Sequence, residues 1–263
     1  MLDWGKVGRI FIENQELIWA GTATTIILSL VGTFVGLILG IFLAYGKNIK
    51  VKETDNWIIK TLKLVLRGFC QIYSVVLRGT PMMVQAMIFK YGCQALGLNW
   101  ENVTFPSAVL NVLNGWLIAG LIVITFNTAA YMGEIVQSGL NGVDKGQIEG
   151  ARSLGMTSAQ TSFSIILPQA IRNALPTIGN ELIVNIKDSS VLNVIAVSEL
   201  YYRIGDIANT NYAFVESYVL LALIYLVLTL LASGILKLIE KKLDGQKISL
   251  NPFGRYLRAR REI

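Results

Sequence analysis

The chain has 263 residues, 53% of them hydrophobic and only 15% charged, with a formal net charge of +6 and no histidine. A soluble domain of this size carries about 25% charged residues, so the composition excludes an ordinary water-soluble globule. The missing histidine excludes Ser-His-Asp, Cys-His and His-metal chemistry, though not chemistry based on carboxylates or lysine.

The charge deficit is concentrated in runs. Residues 17–46, 102–133 and 217–236 contain no Asp, Glu, Lys or Arg. Each run reaches the roughly 20 residues that a helix needs to cross hydrocarbon. A soluble protein of this length would have too little polar chain left to wrap three such helices.

A first span is predicted near 17–45. It is too long for a signal peptide and lacks a small-residue cleavage site, so it is expected to be retained. Gly32, Gly36 and Gly40 recur every four residues behind Thr22, Thr25 and Ser29, and that small face predicts close contact with another helix. Trp19, Tyr45 and Trp100 fall near predicted span ends, where an interfacial aromatic belt would put them.

A second span is predicted near 64–90, with Arg67 at its edge and Arg78 inside. Arg78-Gly79-Thr80-Pro81 interrupts it, because proline lacks an amide donor and clashes with the preceding turn. Backbone groups freed within a membrane are tolerated only against protein or water. The break is therefore a candidate lining element of a polar path. A third span is predicted near 106–132. Cys70 and Cys93 lie in or beside apolar segments and predict no disulfide framework.

Residues 137–172 are too polar to span and too apolar to be a plain tether. Residues 143–155 predict a short helix, with Asp144 as cap, Gln147 three residues on as in a capping box, and Gly155 as stop. Val143, Gln147, Ala151 and Leu154 are expected on one face, with Glu149 and Arg152 elsewhere. A second helix carrying Phe163, Ile166 and Leu167 is expected to run until Pro168. So short a helix is unstable alone, and its small and apolar residues suit docking into a groove of another protein.

A fourth span is predicted near 174–198, opened by Pro176 and containing Glu181, Lys187 and Asp188; a fifth lies near 214–238. A charge at the bilayer centre costs several kcal/mol unless protein or a water-filled cavity receives it. Arg78, Glu181, Lys187 and Asp188 therefore predict a polar interior. Lysines 47, 50, 52, 60 and 63 lie between spans one and two, and eight Lys and Arg residues run from Lys237, at the end of span five, to Arg261. The connection between spans two and three offers Lys90 alone, that between spans four and five only Arg203, and ahead of span one Lys6 and Arg9 face Asp3, Glu13 and Glu16. By the positive-inside rule this alternation fits five spans, with the N-terminus outside and the C-terminus in the cytoplasm. The basic tail at Arg255–Arg261 then predicts contact with anionic lipid rather than nucleic acid.

Three motifs in order now carry a resemblance. Glu149-Gly150-Ala151-Arg152-Ser153-Leu154-Gly155 resembles the E-A-A…G signature of the inner-membrane permeases of polar-amino-acid ABC importers. Arg78-Gly79-Thr80-Pro81, followed by Gln85, resembles their R-G-T-P, and Lys187-Asp188-Ser189-Ser190 their K-D-[ST]-S. Two departures stand out: Gly150 replaces the central alanine, and Gln137 replaces the arginine of an E-x-x-R motif that begins at Glu134.

The resemblance implies an all-α integral membrane protein of five transmembrane helices with the type I ABC importer permease fold, in a bacterial cell membrane. It implies a partnership with a dimer of ABC ATPase subunits, a second permease subunit (self or homologous), and an extracytoplasmic amino-acid-binding protein. ATP and Mg2+ would belong to the ATPase, since the chain has no phosphate-binding GxxxxGK[ST] loop and needs no cofactor itself. The coupling role falls on Gln147, Glu149, Ala151, Arg152, Leu154 and Gly155. The substrate path, or a structural polar network, falls on Arg78, Thr80, Gln85, Asn127, Glu134, Lys187, Asp188 and Ser189. Two rival readings of the residues stay open, an ion-coupled secondary carrier and a membrane scaffold that transports nothing.

Overall fold

The computed structural model describes residues 2–103 and 115–243, and every described element is helical. Helix α1 (Trp4–Glu13) starts where the Asp3 side chain accepts from the Gly5 and Lys6 amides. Its buried residues Val7 and Ile10 pack in one apolar cluster with Ile18, Leu200, Ile204 and Leu220. Helix α2 (Gln15–Lys47) follows, then α3 (Trp57–Gly79) and α4 (Met82–Ala95). Helix α5 (Gly115–Asn141) precedes the short α6 (Lys145–Ser153) and α7 (Ser158–Thr161). Helix α8 (Leu167–Asp188) leads through a 3-10 segment, Ser189–Ile195, to α9 (Leu200–Asn211) and α10 (Phe214–Leu243).

Among the described residues, three helices are long and apolar enough to cross a bilayer: α2, α5 and α10. The pair α3 and α4 makes a fourth if counted as one broken span, because the chain bends by 111° between them. The span expected at 64–90 is thus not one helix but two, parted at Thr80-Pro81. The start of the third predicted span and the basic tail lie outside the described residues. Helix α10 exposes large apolar residues around most of its circumference, including Leu223, Leu226, Val227, Leu230 and Leu231. An all-round apolar helix needs hydrocarbon around it.

The small residues of α2 face α5. A β-carbon on Gly32 would meet Ile124 Cγ2 at 2.9 Å, one on Gly36 would meet Thr128 Cγ2 at 2.9 Å, and one on Gly40 would meet Met132 Cβ at 2.5 Å. Steps of four on one helix match steps of four on the other, so α2 and α5 run parallel with their backbones close. Helix α8 runs the other way: Thr128 meets Asn185, while Gly139 meets Ala170 and Ala174. Helix α10 reverses again, with Leu236 against Gly179 and Tyr225 against Glu199.

Two proline expectations need correction. Pro168 does not end the second short helix; α7 passes through a π-helical turn, Ser162–Ile166, straight into α8. The Leu167 amide reaches back five residues to the Ser162 carbonyl, and this wider turn sits where Pro168 has no amide to give. Pro176 does not open a span either, for it lies inside α8. Trp100 is no interfacial belt residue: it is buried and stacks on Phe89 at 5.6 Å. Trp19 and Tyr45 are exposed. Cys70 and Cys93 are free thiols.

Candidate functional site

The break between α3 and α4 organises a polar cluster. Leu77 is four residues before Pro81, so in a continuous helix its carbonyl would wait for an amide that proline lacks. The Gln85 side chain supplies the donor: its Nε2 gives to Leu77 O at 2.8 Å and to Thr80 O and Thr80 Oγ1 at 2.9 Å. Thr80 Oγ1 in turn donates to Val76 O at 2.9 Å. The other end of the Gln85 amide accepts from Asn127 Nδ2 at 3.0 Å. One side chain therefore closes the break and ties it to α5.

Next to the break, Glu134 Oε1 accepts from Lys47 Nζ at 2.6 Å and pairs with Arg78 Nη1 at 3.1 Å. The Arg78 guanidinium also lies over the Tyr131 ring, 5.8 Å from its centroid. Two cations on one carboxylate leave the cluster with a net positive charge. Arg78 and Glu134 are both about two-fifths exposed, at 43% and 42%, so their pair contributes about 1 kcal/mol at most, whereas Lys47 is only 13% exposed.

Of the residues predicted for a polar path, the fold brings Arg78, Thr80, Gln85, Asn127 and Glu134 together. Lys187, Asp188 and Ser189 lie at the end of α8, and among the described residues no hydrogen bond or ion pair joins them to that cluster. There Ser189 Oγ donates to Ile186 O at 2.9 Å and Ser190 Oγ to Lys187 O at 2.6 Å. These hydroxyls close the last turn as the helix tightens to 3-10. Among the described residues neither Lys187 nor Asp188 forms an ion pair.

Gln137, which stands where the family pattern has arginine, accepts from Asn48 Nδ2 and donates to Asn141 Oδ1 at 3.0 Å. The cation that pairs with Glu134 comes instead from Lys47 and Arg78. Lys47 read as an ordinary loop charge, and no local signal marks it, because its partner is 87 residues away.

Two buried polar groups also escaped the sequence reading. Asn185 accepts from Thr128 Oγ1 at 3.1 Å and donates to Thr33 Oγ1 at 2.8 Å, linking α2, α5 and α8. An asparagine inside an apolar stretch was a usable signal. Glu199 is fully buried and caps α9, accepting from the Tyr201 and Tyr202 amides at 2.9 and 2.8 Å and from the Tyr225 hydroxyl at 2.9 Å. Its third donor comes from α10, which nothing in the local sequence indicates.

The segment expected to dock a partner forms a well-capped helix. The Asp144 carboxylate accepts from the Gly146 amide at 2.6 Å. No reciprocal Gln147 side-chain bond completes a capping box. At the other end Met156 N–H bonds Ala151 O at 3.2 Å and Gly155 N–H bonds Arg152 O at 2.9 Å. This is a Schellman motif, and Gly155 holds its left-handed position at φ 78°.

The expected single face is split. Val143 and Ala151 are buried inward, whereas Leu154 is 84% exposed and Gln147, Glu149 and Arg152 are also exposed. Leu154 closes the helix with its amide still bonded to Gly150 O at 3.1 Å, yet its side chain, like that of Gln147, is not covered by a neighbouring element. What remains outward is one prominent leucine among charged and amide side chains.

Comparison with known proteins adds identity to this geometry. Three neighbouring solved structures share the fold, all of them ABC transporters. One, described as an amino acid ABC transporter with histidines, superposes with a TM-score of 0.76 at 31% identity, covering 92% of this chain and 99% of that one. Another, an inward-facing methionine transporter MetNI, gives 0.63 at 18% identity, covering 87% and 96%, and so speaks for the fold alone. The chain is thus an all-α, multi-pass membrane protein with the fold of type I importer permeases.

Residues 36–245 match the family described as binding-protein-dependent transport system inner membrane component, and the chain belongs to that family. It is similar to the arginine transport system permease protein ArtQ of Bacillus subtilis, 34% identical over 89% of this chain and 95% of that one. It is also similar to a putative glutamine transport system permease protein GlnP of Rickettsia typhi, 31% identical over 89% and 95%.

Proposed function

We propose that the chain is the permease subunit of an ATP-driven importer that carries a polar L-amino acid across a bacterial plasma membrane. Relatives named for arginine and glutamine transport support the substrate class. In this reading the subunit pairs with a second permease, receives substrate from an extracytoplasmic binding protein, and docks two ATPase subunits that hold ATP and Mg2+.

The observation that carries the reading is α6. It is capped at both ends, anchored inward by Val143 and Ala151, and presents Leu154 with Gln147, Glu149 and Arg152 outward. A rigid helix with an exposed apolar knob can transmit a push from a partner. Gly155 ends it in the one turn geometry that favours glycine. As the ATPases close, α6 moves with them, and the helices switch between two arrangements favoured by different partner contacts.

A five-crossing topology fits the observed helix directions. Helices α2, α5 and α10 share one sense and α8 the other, so the pair α3 and α4 supplies the return between α2 and α5. With the basic loop after α2 inside, the N-terminus is outside and α6 is cytoplasmic. The cluster of Arg78, Thr80, Gln85, Asn127 and Glu134 offers donors and acceptors for a zwitterion along the path. Lys187, Asp188 and Ser189 serve the same path at a separate level.

Reconstitution tests this directly. Vesicles containing the permease, its ATPase and its binding protein should take up labelled glutamine or arginine only when ATP is present inside. Uptake by the permease alone, without ATP, would overturn the proposal in favour of an ion-coupled carrier.

A further inference from the structure

A cleft of about 780 Å³ opens between the end of α2, the middle of α3 and the coupling region. That volume is within the usual range of ligand-sized cavities, about 300–1,000 Å³. Phe42, Leu66 and Phe69, Ile148 of α6, Ile166 of the π-helical turn and Lys50 are among the residues that line it. Phe42 and Phe69 are 74% and 61% exposed, so the cleft is open on the side where α3 turns its apolar residues outward.

Its chemistry is lopsided. No carboxylate lines it, and its amides are already paired, Asn48 with Gln137 and Gln137 with Asn141. An amino acid would find no partner for its ammonium group there. The nearby cations are also sorted: Lys47 is held by Glu134 and Lys63 by Asp55, both at 2.6 Å. Lys50 and Lys52 form no ion pair among the described residues, and only Lys50 belongs to the cleft.

We propose that this cleft binds an anionic phospholipid of the cytoplasmic leaflet, with an acyl chain between α2 and α3 and the phosphate at Lys50. The inference rests on the topology above, which puts the α2–α3 loop on the cytoplasmic side. Apolar walls with one unpaired cation at the headgroup level are the complement of such a lipid. Because Ile148 and Ile166 line the same cleft, a lipid held there lies against α6 and the π-helical turn and braces α6 against the bundle. Binding therefore favours the arrangement in which a push on α6 reaches the membrane helices.

The test uses the whole importer in nanodiscs of phosphatidylcholine, with or without phosphatidylglycerol. Phosphatidylglycerol should raise ATP hydrolysis stimulated by the loaded binding protein by about fivefold, the lower range of allosteric coupling. Native mass spectrometry should show phosphatidylglycerol retained on the permease. Lys50→Gln should lose both the stimulation and the adduct, whereas Lys52→Gln, the same charge change outside the cleft, should keep both.

Equal loss in the two variants would mean general surface attraction and overturn the site. So would an adduct that survives Lys50→Gln, or a Leu66→Cys cross-link to the ATPase showing that the cleft is filled by protein. Topology is read separately, by labelling Lys50→Cys with an impermeant maleimide. Labelling from outside alone would remove the assigned leaflet while leaving the adduct result standing.

Discussion

Glu134 is the residue on which two cations converge, and its replacement separates charge from shape. In Glu134→Gln, Lys47 and Arg78 lose their carboxylate and face each other across a short gap. Arg78 is partly exposed but Lys47 is only 13% exposed, so the stability loss is expected to come mainly from the unpaired Lys47 and to be seen as a fall in thermal unfolding temperature. Uptake should suffer more than stability, and Glu134→Asp should restore part of both. Unchanged uptake in the glutamine variant would remove the cluster from the path.

Asp55 offers a contrast outside the membrane helices. The Lys63 ammonium, donating at 2.6 Å, together with the Lys52 amide, holds its carboxyl below the ordinary carboxylate value. A lowered value means that its stabilising effect is complete above the unfolded pKa, about 3.9, and is lost as pH falls through the folded one. The carboxyl carbon-13 shift of Asp55 should therefore stay constant from neutral pH down to about 5 and titrate with a midpoint under about 3.9. Lys63→Met should move that midpoint upward.

At the scale of the element, the α2–α5 contact predicts a graded series. Overpacking a close contact costs about 1–3 kcal/mol, and the cost depends on what the new atom meets. A methyl at Gly32 meets only Ile124 side-chain atoms, which can rotate. At Gly40 it meets Met132 Cβ at 2.5 Å and the Gly133 backbone nitrogen at 2.8 Å. Gly40→Ala should lower the unfolding temperature clearly more than Gly32→Ala, and an equal effect would contradict the registered contact.

Helix α6 gives the opposite case. A β-carbon on Gly150 meets nothing within 4 Å, so Gly150→Ala should stabilise this helix by about 1 kcal/mol, with coupling intact. A β-carbon on Gly155 also meets open space, but φ 78° disfavours any side chain. Gly155→Val should uncouple ATP hydrolysis from uptake without preventing membrane insertion. The Gly155 stop was visible in the sequence because it depends on one backbone angle. The exposure of Leu154 was not, because helical spacing placed it with Ala151 and only the tertiary packing decides which of the two is covered.

For the whole molecule, parallel α2 and α5 require an odd number of crossings between them. Cysteines at position 12 and at position 154 should be labelled from opposite sides of the membrane. Labelling of both from the same side would overturn the topology and, with it, the docking role of α6. The basic segment after α2 supports the same orientation, since Lys50, Lys52 and Lys60 are exposed.

The sequence by itself determined that the chain lives in a membrane, where its apolar runs lie, which loops carry the positive charge, and where α6 starts and stops. Each of those follows from neighbours along the chain: hydrocarbon thickness sets a run length, and caps act within a turn. Tertiary structure alone decided that Gln85 repairs the Pro81 break, that Lys47 joins Arg78 on Glu134, and that Asn185 binds three helices together. It also set Trp100 in the core and carried α8 through two prolines without a stop. The Lys47 and Asn185 contacts join positions far apart in the chain, and the Gln85 bonds, though only five and eight residues long, form because the chain bends by 111° between α3 and α4.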